Sequence, residues 1–194
     1  KDVILNVIGD IGVDGATYRA MEWRGDAIMS LSMEERMTLC NMAIEAGGKN
    51  GIIEADDVTM DYVRQRTDAP YKIYKSDDDA GYFFKKTYNA SEMEPIVAKP
   101  HSPDNKAKVS ECVDVKLDRA YIGSCTGGKL TDFVAAARLL KGKKVQIDTF
   151  IVPATREVEQ DLYKEKIGGE TLVDIFKNAG AYLGDPSCAA CLGG

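Results

Sequence analysis

The sequence predicts an α/β protein, with open, mainly parallel sheets and helices layered against them. Two observations lead there. In the second half, short apolar runs alternate with amphipathic runs of helical length: Arg119 to Ile122, Thr131 to Leu140, Val145 to Val152, Pro153 to Tyr163, Thr171 to Asn178. Parallel strands need crossovers, and helices supply them, so this alternation points to a parallel sheet. The residues best able to do chemistry also fall just after strands, where open α/β sheets build their sites.

In order along the chain, Val3, Ile4, Val7, Ile8 and Ile11 predict a helix that Gly12 closes. Ala16 to Trp23 alternates and carries aromatics, which predicts a strand. Ser32-Met33-Glu34-Glu35 is a capping box and opens a helix from about Met33 to Ala46, ended by Gly47-Gly48. Met33, Met37, Cys40 and Ile44 form an apolar stripe on it, expected in the core, with Cys40 a buried thiol. Asn41 and Glu45 lie four apart on one face beside that stripe. Gly51 to Glu54 reads as a short strand and Asp57 to Arg66 as a helix capped by Asp56 or Asp57. Tyr71 to Asp79 ends in an acidic, solvated loop; Tyr82 to Tyr88 and Pro95 to Ala98 read as strands whose aromatics pack.

Lys99-Pro100-His101-Ser102-Pro103-Asp104-Asn105 is turn chemistry and the best place for a domain boundary. We expect one α/β domain over 1–99, a linker over 100–110 and a second, partial domain over 111–194. His101 is the sole histidine, and a single histidine in a turn is more often a surface residue than an acid–base group. In the second domain the helix from Thr131 stops at Gly142, those after Pro153 and Thr171 follow, and Tyr182-Leu183 delivers the chain to Cys188.

Composition narrows the function classes. Lys and Arg number 25 against 31 Asp and Glu, a formal charge of −6, which argues against a nucleic-acid backbone as partner. No apolar run approaches the length that spans a bilayer, so no membrane partner is expected. Five cysteines, with one close pair, suit a metal site in a reducing compartment better than a disulfide framework. A cytoplasmic location follows, with a plastid stroma as the alternative.

The chemistry concentrates in Cys188-Ala189-Ala190-Cys191 and in Cys125, within Tyr121-Ile122-Gly123-Ser124-Cys125-Thr126-Gly127-Gly128. A C-x-x-C pair alone is compatible with zinc or with thiol redox chemistry. Zinc needs a fourth ligand, for which Cys40, Cys112 or His101 are available. A redox pair opens a helix after a strand, whereas Leu192-Gly193-Gly194 follows here. Gly127 and Gly128 clear space beside Cys125, Gly193 and Gly194 do so near Cys191, and the helix after Cys125 can point its positive end at an anionic group.

The two cysteine motifs and the 188 − 125 = 63 residue interval between them resemble the aconitase superfamily. The strings Gly15 to Trp23 and Ser30 to Gly51 look most like its isopropylmalate isomerase branch. Gly127 stands where much of the family has Asn, and Ala189-Ala190 replaces the commoner Gly-Pro; neither change removes a ligand. The resemblance implies aconitase-like three-layer α/β/α domains, with this chain as the middle of a longer subunit. It implies a [4Fe–4S] cluster on Cys125, Cys188 and Cys191, with one iron left open. Leu39 to Glu45 is similar to the family helix whose Asn and Glu reach toward the cluster, which makes Asn41 and Glu45 the implied catalytic residues. The implied activity is interconversion of 2- and 3-isopropylmalate, a small hydroxy acid substrate, with a separate small subunit as partner. The serine base and the carboxylate-binding arginines of the family would lie outside this chain, leaving it inactive alone. Aconitase or homoaconitase activity on tricarboxylic acids is the neighbouring alternative. A non-catalytic metal-binding module, as in the related iron-responsive RNA-binding proteins, is the other.

Overall fold

A computed structural model describes residues 1–192 and separates into two units, Lys1–Val113 and Asp114–Gly194. In the first unit α1 (Asp2–Ile11) buries Ile4, Val7 and Ile8. It is followed by β1 (Ala20–Trp23), α2 (Asp26–Met29), α3 (Met33–Asn41), β2 (Asn50–Ile53) and α4 (Asp57–Arg64). The unit closes with β3 (Ile96–Ala98) and β4 (Lys106–Lys108). Strands β1 and β2 pair in parallel, Ala20 opposite Asn50 and Trp23 opposite Ile53, while β3 and β4 are antiparallel. The core gathers Ile4, Ile8, Ala16, Ile28, Leu39, Met42 and Ala46.

Ser32 opens α3 as its side chain predicts. The hydroxyl accepts from the Glu35 amide, and the Ser32 amide donates to Glu35 Oε2 at 2.9 Å. The helix is shorter than its pattern suggests: the α-helix ends at Asn41 and Met42–Ala46 continues as a 3₁₀ turn. The expected apolar stripe is also displaced, for Ile44 is 66% exposed and Cys40 only half-buried. The inward row is Arg36, Leu39, Ala43 and Ala46, one position round from the stripe. Hydropathy hides that row because its first member is charged. Arg36, 2% exposed, donates to both carboxylate oxygens of Asp56, at 2.5 and 2.8 Å, and to the Leu31 and Met29 carbonyls. A guanidinium with every face satisfied can be buried where a lone charge cannot.

Two further expectations are corrected. The strand predicted from Ala16 begins at Ala20, because residues 13–18 form turns. No strand forms over 82–88, and two of its aromatics do not pack as expected: Phe83 is 81% and Phe84 62% exposed, while Tyr82 and Tyr88 are half-buried. Side-chain contacts, not a backbone ladder, hold this segment to β1. Tyr82 and Ser76 donate to Glu22 Oε2 at 2.6 and 2.9 Å, and the Arg19 guanidinium lies 3.8 Å from the Phe83 ring centre. Within the stretch 100–110, where a linker is predicted, Lys106–Lys108 forms β4 and pairs with Ile96–Ala98.

The second unit runs β5 (Arg119–Gly123), α5 (Ser124–Gly127), α6 (Leu130–Leu140), β6 (Asp148–Val152) and α7 (Arg156–Lys164). A hairpin of β7 (Lys166–Ile167) and β8 (Glu170–Thr171) follows, then α8 (Leu172–Ala179), β9 (Tyr182–Leu183) and α9 (Ala189–Leu192). Gly168 and Gly169, at φ 57° and 89°, make the two-residue hairpin turn, a signal the sequence reading passed over. The sheet order is β5-β6-β9, all parallel. Ile122, Ile151 and Leu183 are cross-strand neighbours and face a core of Phe133, Ala137, Leu162, Leu172, Ile175 and Phe176. Helices α6, α7 and α8 therefore cover one face. The other face presents the cross-strand row Tyr121, Phe150 and Tyr182, of which Tyr182 is 64% exposed. The alternation of strand and helix thus yields the α/β fold that it predicts.

Candidate metal centre

Cys125 lies at the carboxyl end of β5, in the short helix α5. Two glycines let the backbone crowd there. A Cβ on Gly123 would stand 2.2 Å from the Val152 carbonyl oxygen, and one on Gly128 would stand 2.5 Å from that of Ser124. Ser124 takes a left-handed backbone, φ 60°, a conformation that costs a non-glycine residue about 1 kcal/mol. The Gly128 carbonyl accepts from the Ala154 amide at 2.9 Å, so the segment after β6 braces the same turn. Lys129 is 8% exposed, and its Nζ donates to the Cys125 carbonyl at 2.5 Å. The amide of Lys129, which caps α6, donates to Asp132 Oδ2 at 3.2 Å. The positive end expected of that helix is therefore partly answered by its own carboxylate, and the Lys129 ammonium is the nearer cation.

The C-x-x-C pair follows β9, the far strand of the same sheet. The Gly184 amide donates to the Ile151 carbonyl at 2.9 Å, steering the chain past β6. Cys188 and Cys191 are exposed, and the Cys191 amide donates to the Cys188 carbonyl at 3.1 Å. The second cysteine belongs to the short helix α9. A hydrogen bond joins the two cysteine segments across 63 residues: Ser124 Oγ donates to the Ser187 carbonyl at 3.1 Å. Tyr121 Oη lies 2.8 Å from the same Ser124 Oγ. Both segments thus stand at the carboxyl end of one parallel sheet and touch through the residues just before Cys125 and Cys188.

Among the described residues, no three His, Cys, Asp or Glu side chains converge as they would on one metal ion. That is single-ion geometry; thiolates around a four-iron cluster sit on separate irons. Gly193 and Gly194, predicted to clear space by Cys191, lie outside the described residues.

Asn41 and Glu45 belong to the first unit. Asn41 ends α3 and Glu45 falls in the 3₁₀ turn. At three residues per turn, four positions leave side chains roughly 120° apart, against about 40° in an α-helix. The shared face that the i, i+4 spacing predicts is therefore weakened. Glu45 Oε2 is buried and has no hydrogen-bond partner among the described residues. Next to Asn41, partial burial pushes the Cys40 thiol pKa up, which disfavours a reactive thiolate there. His101 is exposed in a turn.

A family model described as "Aconitase family (aconitate hydratase)" matches residues 1–116 and 110–194. The chain belongs to the aconitase family. Relatives agree over its whole length. It is 54% identical to the "3-isopropylmalate dehydratase large subunit, chloroplastic" of Arabidopsis thaliana and 52% identical to the "3-isopropylmalate dehydratase large subunit" of Heliobacterium modesticaldum. It is 46% identical to "3-isopropylmalate dehydratase large subunit 1" of Pyrococcus abyssi. All of this chain aligns in each case, covering 39%, 46% and 46% of those proteins respectively. The chain spans less than half the length of the curated relatives it matches.

Membership of the aconitase family implies an iron–sulfur cluster in general terms, and the donor set suits one. Three cysteines in two bonded segments make an incomplete tetrahedral set for a single soft metal and a sufficient one for a cluster with one open iron. Sequence reasoning missed Ser124, Ser187, Tyr121 and Lys129, the side chains and carbonyl that hold the two segments. Their proximity to the cysteines was the available signal, but no propensity rule assigns a serine a left-handed backbone.

Proposed function

We propose that this chain is the portion of an isopropylmalate dehydratase large subunit that carries its iron–sulfur ligands. The observation behind the proposal is similarity along the whole of this chain, at 46–54% identity, to part of proteins named as that subunit from a plant, a bacterium and an archaeon. The location inferred from the sequence is cytoplasmic, or the plastid stroma; the name of the plant relative calls that protein chloroplastic. No helix among the described residues is long and apolar enough to cross a membrane.

In this reading Cys125, Cys188 and Cys191 hold a [4Fe–4S] cluster. When bound, such a cluster supplies Lewis-acid polarisation of a substrate hydroxyl and carboxylate. The chain's own residues do the rest of the local work. The Lys129 ammonium and the Ser124 hydroxyl keep the Cys125 turn in place for ligation. Glu45 offers Oε2 as a buried acceptor for the proton of a substrate hydroxyl or of water, and Asn41 orients that oxygen through its amide. The substrate class is a small hydroxy acid, 2-isopropylmalate interconverted with 3-isopropylmalate. Neither a base on the far side of the substrate nor a pocket that senses an isopropyl group is supplied by these residues. Those functions are assigned to the rest of the subunit and to a small-subunit partner, the counterpart implied by "large subunit" in the relatives' names. The predicted division, with one α/β domain over 1–99 carrying Asn41 and Glu45 and a second over 111–194 carrying the cysteines, belongs to the same proposal.

The test is an anaerobic assay of the full-length subunit, with and without a small subunit, on isopropylmalate, citrate and homocitrate in parallel. Turnover of isopropylmalate at least about a hundredfold above the other acids, and only with the partner present, is expected; discrimination of that size amounts to about 2.7 kcal/mol. Preferential turnover of citrate moves the assignment to aconitase, and full activity without a partner removes the two-subunit claim.

A further inference from the structure

We infer that Ser124 is a positioning residue that latches the two cysteine segments together before any cluster is bound. The inference rests on the cluster-binding reading above and deepens it. Three observations on one residue carry it.

Ser124 is 4% exposed, so its hydroxyl cannot turn to water and must be satisfied inside. It has one proton, which goes to the Ser187 carbonyl at 3.1 Å. The 2.8 Å contact with Tyr121 then has one possible direction, with the Tyr121 phenol donating to Ser124 Oγ. Tyr121, Ser124 and Ser187 thereby form a directed chain of hydrogen bonds, and a backbone carbonyl ends it. The last link reaches the residue immediately before Cys188, while Ser124 itself immediately precedes Cys125.

The backbone completes the argument. Ser124 holds φ 60°, the left-handed region in which glycine would be the unstrained choice. Gly123 stands directly before it and Gly128 four residues on, so the segment is not short of glycines. A serine in that conformation is justified by what its side chain does, and here that is the bond to Ser187. The pairing of β9 with β6 is only two residue pairs long, and the Gly184 amide adds its bond to the Ile151 carbonyl, so the latch supplements a short connection between the C-x-x-C segment and the sheet that carries Cys125. Cluster ligation must bring thiolates from both segments to one place, and a prealigned pair loses less conformational entropy on binding.

Ser124→Ala, Ser124→Gly and Tyr121→Phe in the full-length subunit test this. Each protein is reconstituted anaerobically with iron and sulfide, and three quantities are read: iron and acid-labile sulfide per chain, the rate at which visible cluster absorbance decays in air, and the melting temperature of the apoprotein. We expect Ser124→Ala to lose absorbance about tenfold faster than wild type while the apoprotein melts within a few degrees of it. Tyr121→Phe keeps the Ser124–Ser187 bond and should fall between the two. Ser124→Gly relieves the backbone but lacks the hydroxyl, so its cluster should decay as fast as in Ser124→Ala. Should Ser124→Ala fail to fold, Ser124→Gly and Tyr121→Phe carry the test. Wild-type decay rates in the variants overturn the latch, as does a cluster loss that merely tracks apoprotein melting. A wild-type subunit that takes up no iron overturns the functional reading, and the latch with it.

Discussion

Arg36 shows how much of the first unit turns on one side chain. It is 2% exposed, and its fork on Asp56 holds that carboxyl at a pKa of about 2, assisted by the Thr59 amide and opposed by burial. The folded pKa lies below the ordinary carboxylate value near 4, so the pair stabilises the fold at neutral pH. That contribution, on the order of 2 kcal/mol, is fully present above the unfolded pKa and is lost as pH falls from about 4 through 2. The two partners are not equivalent. Asp56→Asn keeps the cap on α4 but strands a buried guanidinium, at a cost of about 3–5 kcal/mol. Arg36→Met removes the buried charge and leaves the partly exposed Asp56 to water, so it should cost less, about 1–2 kcal/mol. Urea unfolding at pH 7 and pH 3 measures both. Equal costs for the two variants, or an Asp56→Asn loss that is undiminished at pH 3, would mean the pair is not the anchor described.

Among the elements, the turn from β5 through α5 into α6 is the most demanding. Its backbone passes so close to the segment after β6 that a Cβ on Gly128 would lie 2.8 Å from the Val152 carbonyl oxygen and 2.9 Å from the Ala154 nitrogen. These are backbone atoms in two braced segments, which cannot yield as a flexible side chain can. Gly128→Ala should therefore destabilise by about 1–3 kcal/mol and also lower cluster retention, because the strand end and the Cys125 turn shift together. Chemical denaturation and iron content measure the two effects. A variant with wild-type stability would show that the turn has room the distances deny. By contrast α3 and α8 follow from local rules. Ser32 with Glu35 caps the first; Thr171 caps the second, its hydroxyl accepting from the Asp174 amide at 3.1 Å.

At the scale of the whole molecule, order is uneven in a way that function can use. Phe133 and Phe176 meet edge to face, centroids 6.1 Å apart, in a core that also holds Ile151, Leu162 and Leu172 with no exposure. Between Tyr71 and Asn89 the described chain has neither helix nor strand, and Glu22 ties it to β1 through Tyr82 and Ser76. Burial pushes the Glu22 pKa up, but the donors from Tyr82, Arg24 and Ser76 outweigh it and leave the carboxyl below its usual value. Amide hydrogen exchange on the full-length chain should therefore show the slowest exchange in β6 and α8. Amides over 71–89 should exchange faster by roughly a thousandfold or more, the ratio set by about 4 kcal/mol between local and global opening. Comparable protection in the two regions would show that the segment is held by more than these side-chain ties.

Sequence alone determined the alternation of strand and helix, the cap at Ser32, and the resemblance that singled out Cys125, Cys188 and Cys191. All of these are local in the chain: a period, a cap or a motif can be read without knowing what packs on it. Tertiary structure decided which row of α3 faces inward, because Arg36 becomes a core residue only once Asp56, 20 positions away, closes on it. It decided that Tyr82 to Tyr88 is not a strand, since strand formation needs a neighbouring edge and this segment found side chains instead. It also decided that Ser124 meets Ser187. A hydrogen bond spanning 63 residues leaves no trace in local pattern, because its partners become neighbours only when β5, β6 and β9 assemble into one sheet.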